Sequence, residues 1–280
     1  MKMKTIILCI ALLSPLGMKA DEIDISPLKS AYNDILAFCD KYDHTSVQTY
    51  NLKLLSWFNS ESLERDVRME KHARKLGLRG TAHVGAFSAG CINALLYTNG
   101  IESRILDIML GSGAEESWEW ISIALKYKRL YVEVAMQFRD RAYPEFLNTS
   151  KSRLDELNGE VFRNAGIILQ HLDKGDSIKR LCLNYMLFMI TQAKRLENFA
   201  FMKGRDAMSK ASAIEFGAML SREVIVVGNI LERHLIASSP TNKELLAAVT
   251  SLRHEAIAAC LYFRNAAPGG QFGPPKIETE

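Results

Sequence analysis

The chain has 280 residues, 48% apolar and 24% charged, a composition that fits a folded globular protein and excludes a disordered or collagen-like one. Its formal charge is +3, but Lys2, Lys4 and Lys19 fall in a leader-like N-terminus, and without them 32 basic residues face 32 acidic ones. Such a balance lacks the basic surplus that phosphate backbones require and argues against nucleic acid as a partner.

Lys2 and Lys4 precede an apolar run from Thr5 to Leu16, which closes on Gly17-Met18-Lys19-Ala20 ahead of Asp21-Glu22. Charged, apolar and small residues in that order predict a signal peptide over residues 1–20, too short to span a bilayer. The expected location is therefore outside the cytoplasm, as a secreted protein of a bacterial periplasm. Ser26-Pro27 then places a capping hydroxyl before a proline, and Leu28, Tyr32, Ile35, Cys39 and Tyr42 follow at helical spacing. A second run, from about Ser46 to Leu76, turns polar with Glu64-Arg68 and Glu70-Arg74 in the favourable i, i+4 order, the pattern of a solvated helix face.

Glycines at 77 and 80 precede a small-residue helix over 81–98, and a short helix follows over 103–110. Ser112 and Glu115 have capping-box spacing and open a long helix that should end near Tyr143, before Pro144. Leu154, Leu157, Val161, Ala165, Ile168 and Leu172 mark the next helix. Two more are expected from Asp176 to about Lys203 and from Asp206 through Arg233. Thr241 and Glu244 form a second capping-box pair before a last helix with Leu245, Val249, Leu252, Ala256, Cys260 and Phe263.

No segment alternates like a strand; the β-branched run Val224–Val227 sits inside a helical period. The fold class is all-α, a bundle of about eight to nine helices with no sheet. Residues 21–266 read as one helical domain with a candidate seam near 144–152, and 267–280 as a flexible tail rich in Pro and Gly. The densest apolar stretch, Leu181 to Ile190, is too short for a membrane span and is expected to be the central helix.

Chemistry is harder to find. No His lies three residues after a Glu as di-iron bundles need, and His254-Glu255 lacks a second His at 258, where Ala stands. Gly85-Ala86-Phe87-Ser88-Ala89-Gly90 has one residue too many for a nucleophile elbow and no preceding strand. Ser26 and Lys29 have Ser-x-x-Lys spacing without the companion signatures. No catalytic residue, metal ligand or cofactor is assigned. Cys39, Cys91, Cys182 and Cys260 remain after the leader, and two readings stay open: two disulfides, or four small apolar residues buried on separate helices.

The long helix carries the one candidate binding feature. Trp118, Ile121, Leu125, Val132 and Met136 form one apolar stripe, and Trp120, Ala124, Tyr127, Tyr131 and Phe138 form another. Two stripes ordinarily mean a helix sandwiched in the core. The alternative is a candidate binding surface of Trp120, Tyr127, Tyr131, Lys128 and Arg129, facing an acidic or aromatic ligand. By elimination, the expected function is that of an exported, non-catalytic binding or accessory protein whose partner is another exported or envelope protein. The alternatives are an exported hydrolase of cell-envelope material, with Glu115, Glu116 and Glu119 as carboxylates, and a small-ligand or lipid carrier.

Overall fold

The computed structural model describes residues 23–41, 64, 67–68, 71–72, 115–142, 159–172, 177–201, 207–238 and 242–267. Among them lie six helices and no strand: α1 (Ser26–Lys41), α2 (Glu115–Ala142), α3 (Glu160–His171), α4 (Ser177–Phe201), α5 (Ala207–Ala237) and α6 (Lys243–Ala266). The all-α expectation holds for these residues. The larger helix count rests on segments 46–76, 81–98 and 103–110; of these only Glu64, Val67, Arg68, Lys71 and His72 are described, and they are helical. The leader, the seam at 144–152, and 268–280 of the tail lie outside the described residues.

The helix ends follow local chemistry, with three departures from the sequence reading. At the start of α1 the capping acceptor is Asp24, whose Oδ1 takes the Ser26 N–H at 2.9 Å, while the Ile25 carbonyl accepts the Lys29 N–H. A carboxylate two residues upstream therefore serves the first amide, and Ser26 is already inside the helix. At α6 the cap is Asn242, whose Oδ1 accepts the Leu245 N–H at 3.0 Å, one residue later than the Thr241 frame implied. At α3 the backbone of Gly159 is extended, at ψ 155, so the helix starts at Glu160 and does not run on from Leu154 and Leu157. Glycine is the ordinary residue least favoured within a helix, and here it marks a boundary.

Leu181 to Ile190 occupies the middle of α4, and its side chains Cys182, Leu183, Tyr185, Met186, Phe188, Met189 and Ile190 are all buried. That helix packs on α2, α3, α5 and α6, as a central helix should. The run Val224–Val227 is helical within α5, with Val224 and Val227 in the core. Helices α5 and α6 approach closely where the ring of Phe263 lies directly on the backbone of Gly217. Only a residue without Cβ lets the two helices come so close. Gly228, about three turns along α5, has Met186 and Arg253 over it at looser contact, 3.0 and 3.5 Å from where a Cβ would stand.

On the other side of α4 lies α2, and α1 covers α2 with Leu28, Ala31, Ile35 and Phe38, all buried. Exposed ion pairs Lys126–Asp34 and Lys41–Glu119 edge that contact, the second at 2.8 Å. Lys29 also pairs with Glu64, and this partner holds the Glu64 carboxyl below its ordinary range. Among the described residues no helix is long and apolar enough to cross a membrane.

Candidate functional site

Helix α2 is buried on both of its predicted stripes: Leu125, Val132 and Met136 on one, Tyr127 and Tyr131 on the other. The helix is thus sandwiched between α1 and α4, and the four of the predicted surface residues whose side chains are described do not form an open face. Tyr127, Lys128 and Tyr131 are buried and Arg129 is half-buried. The Trp120 side chain lies outside the described residues. Tyr127 and Tyr131 lie on successive turns with ring centroids 6.0 Å apart, a tilted contact typical of core aromatics.

Lys128 is the instructive case, because a lysine on a helix usually keeps its ammonium in water. Here only 3% of its side chain is exposed, and Nζ donates to Glu223 Oε2 at 2.8 Å across to α5. The Tyr185 hydroxyl of α4 donates to the same oxygen, also at 2.8 Å. Glu223 is exposed by 2%, and its Oε1 has no hydrogen-bond partner among the described residues. Three helices thus meet at one carboxylate oxygen, with a charge-assisted bond from each neighbour.

Further polar contacts line the same seam. Arg195 of α4 holds Asp140 of α2 through one nitrogen, at 2.7 and 3.0 Å, and also donates to Gln192 at 2.9 Å. Burial raises the Asp140 carboxyl above its ordinary value, and the charges and hydrogen bond of Arg195, with Arg139 beyond, pull the other way without prevailing. The Arg129 guanidinium stacks 4.8 Å from the centre of the Phe188 ring and pairs with Glu133 at 3.0 Å. Arg139 is fully buried. A second polar cluster ties α5 to α6: Arg253 pairs with Glu232 and Asn229, and Thr250 donates to Glu232 at 2.9 Å.

This arrangement can fix the register of α2, α4 and α5, because a charge placed one turn out of step would be stranded without a partner. Lys128 and Glu223 are almost closed to solvent, while Arg129 and Glu133 are partly exposed. Glu119, one of the carboxylates considered for hydrolysis, is ion-paired with Lys41; the side chains of Glu115 and Glu116 lie outside the described residues. Among the described residues no three His, Cys, Asp or Glu side chains gather as a metal site would need. Cys182 and Cys260 are free thiols; burial pushes Cys182 up to about 12, and raises Cys260 against the pull of Arg222. The Cys39 side chain and Cys91 lie outside the described residues.

Residues that sequence reasoning did not single out lie on the outward face of α6. Ile257 and Leu261, one turn apart, are 40% and 51% exposed, and Tyr262 beside them donates to the Glu197 carbonyl at 3.4 Å. Their signal was present: both fall outside the stripe of Leu245, Val249, Leu252, Ala256 and Phe263. They are therefore apolar residues on the polar side of an amphipathic helix. No family model, curated protein or solved structure matches the chain.

Proposed function

We propose that the chain is a non-catalytic helical binding or accessory protein that acts through contacts with another exported or envelope protein. The observation that carries this reading is the pair Ile257 and Leu261, large apolar side chains held in solvent on a helix whose other side is locked into the core. Apolar side chains on a rigid helix are suited to an interface, because little conformational freedom is lost when they are covered. The buried charges, by contrast, are turned inward, with Lys128 and Tyr185 both donating to Glu223.

The test is a comparison of the wild type with Ile257→Glu plus Leu261→Glu, both used as bait in an envelope fraction of the source cell. Expected is a macromolecule retained by the wild type and lost by the variant, with helical circular dichroism and melting unchanged. Retention of the same macromolecules by both refutes the reading. Export is tested separately, by the intact mass of the protein recovered from that fraction. A mass beginning after Ala20 supports it, and an unprocessed N-terminus refutes it.

A further inference from the structure

We propose that the partner meets α6 through an acidic amphipathic helix, whose apolar residues cover Ile257 and Leu261 while its carboxylates reach Arg222 and Arg264. This rests on the interface reading of that pair and adds the chemistry of what covers it.

The charge of the partner follows from the frame around the pair. Along α6, His254 stands one turn before Ile257 and Arg264 one turn after Leu261, and both are exposed. On the neighbouring α5, Arg222 is exposed and near enough to Cys260, the residue beside Leu261, for its charge to act on that thiol. The same thiol packs on the Ala218 carbonyl, one turn before Arg222, at 3.8 Å. Carboxylates on these two helices are turned to other groups: Glu255 pairs with Lys194 at 3.5 Å, and Glu232 takes Arg253 and Thr250. Glu215, exposed two turns before Arg222 on α5, is where the rim changes sign. The apolar pair therefore sits in a locally cationic frame. A partner with basic flanks would set like charge against like there, whereas acidic flanks are complementary.

The shape of the face favours a helix over a lipid surface. Bilayer interfaces take up an apolar stripe that runs along a helix. Here the large exposed apolar side chains of α6 are confined to its last turns, and Ala247, His254 and Ala258 fill the rest of its exposed side. Two or three anchors suffice for a docking helix, and small residues beside them let its backbone come close.

The full chain carrying benzophenone-alanine in place of the exposed Ala258 tests this by photo-cross-linking in the envelope fraction of the source cell. Expected is a cross-link to a protein segment whose apolar residues recur at helical spacing between Asp and Glu. A synthetic peptide of that segment should lose at least about tenfold in affinity for Arg222→Glu plus Arg264→Glu and stay within about threefold for Arg222→Lys plus Arg264→Lys. Should the reversed variant misfold, salt decides: wild-type affinity for the peptide must fall as ionic strength rises, and a salt-independent affinity overturns the proposal. A cross-linked segment without net negative charge, or equal affinity for a folded reversed variant, overturns the acidic partner and leaves the interface reading standing. No cross-link, with retention indifferent to Ile257→Glu plus Leu261→Glu, overturns both. Sedimentation with phosphatidylglycerol vesicles, lost on that same double change, assigns the face to lipid and likewise overturns the proposal.

Discussion

Gly217→Ala and Gly228→Ala are the same substitution on the same helix, and the structure gives them opposite signs. A Cβ at 217 would press on the Phe263 ring at Cζ, 2.5 Å from both Cε1 and Cε2, where ordinary contact begins near 3.4 Å. The ring must retreat by roughly 1 Å, yet Phe263 is fully buried, so the retreat either presses neighbouring side chains or pries the end of α6 from α5. Overpacking of this kind costs about 1–3 kcal/mol. A clash this deep at a fully buried ring belongs at the upper end of that range, so after alanine returns about 1 kcal/mol of helix propensity the net loss should be about 1–2 kcal/mol. At 228 the nearest atom is the terminal methyl of Met186, at 3.0 Å, with Arg253 Cβ at 3.5 Å. A flexible methionine end gives by a few tenths of an ångström, so most of the propensity gain survives and the variant should lie between neutral and about 1 kcal/mol more stable. Urea unfolding followed at 222 nm measures both, provided the slopes agree with the wild type. Adding Phe263→Leu to Gly217→Ala should recover part of the loss. A Gly217→Ala protein as stable as the wild type, or equal shifts for both alanines, would refute the packing argument.

Three further outcomes follow from the same structure. Lys128→Met leaves the buried Glu223 carboxylate with Tyr185 alone and should cost about 3–5 kcal/mol in equilibrium unfolding; a loss under about 1 kcal/mol would mean the pair is open to water. Asp140 binds its proton more tightly in the folded state than its ordinary value of 3.8, so its contribution to stability is full below that pH and is lost as pH rises through the folded value. The stability of the wild type minus that of Asp140→Asn should therefore fall as pH climbs from 3.8, and a difference that grows with pH contradicts the burial argument. Cys182, fully buried with its thiol pushed up to about 12, should resist alkylation in mildly alkaline buffer and react only as fast as the protein opens, by peptide mass mapping. Labelling at the rate of a free thiol would refute that.

Helix positions were legible because burial repeats every three or four residues. The reading of α4 from Asp176 to about Lys203 and of α5 from Asp206 through Arg233 lies within a few residues of Ser177–Phe201 and Ala207–Ala237. Caps were less legible, since Asp24, Asn242 and their serine and threonine neighbours all carry suitable oxygens, and which one reaches an amide depends on where the helix axis is set by packing. The ionic cluster was missed because a lysine in sequence is assigned to solvent by default, and its partner stands 95 residues away. A signal did exist. Lys128 and Arg139 are in phase with Leu125, Val132 and Ala135 on α2, and Glu223 is in phase with Phe216, Leu220 and Val227 on α5. Opposite charges embedded in two apolar stripes require each other or a change of protonation. Of the two readings of the α2 stripes, the sandwiched helix is the one that describes Tyr127 and Tyr131, which serve the interior with α1 on one side and α4 on the other.

The shared carboxylate of Glu223 also constrains the order in which the molecule is made. Its tyrosine donor is only 38 residues away, on the adjacent helix, whereas its lysine donor left the ribosome 95 residues earlier. Short-range closure is entropically cheaper, so the α4–α5 hairpin can align its acceptor before the distant ammonium arrives. Until residue 223 has been synthesised, α2 waits with two buried-to-be cations and an aromatic stripe in water. During that interval the unpaired stripe is the part of the chain most exposed to mispairing and aggregation.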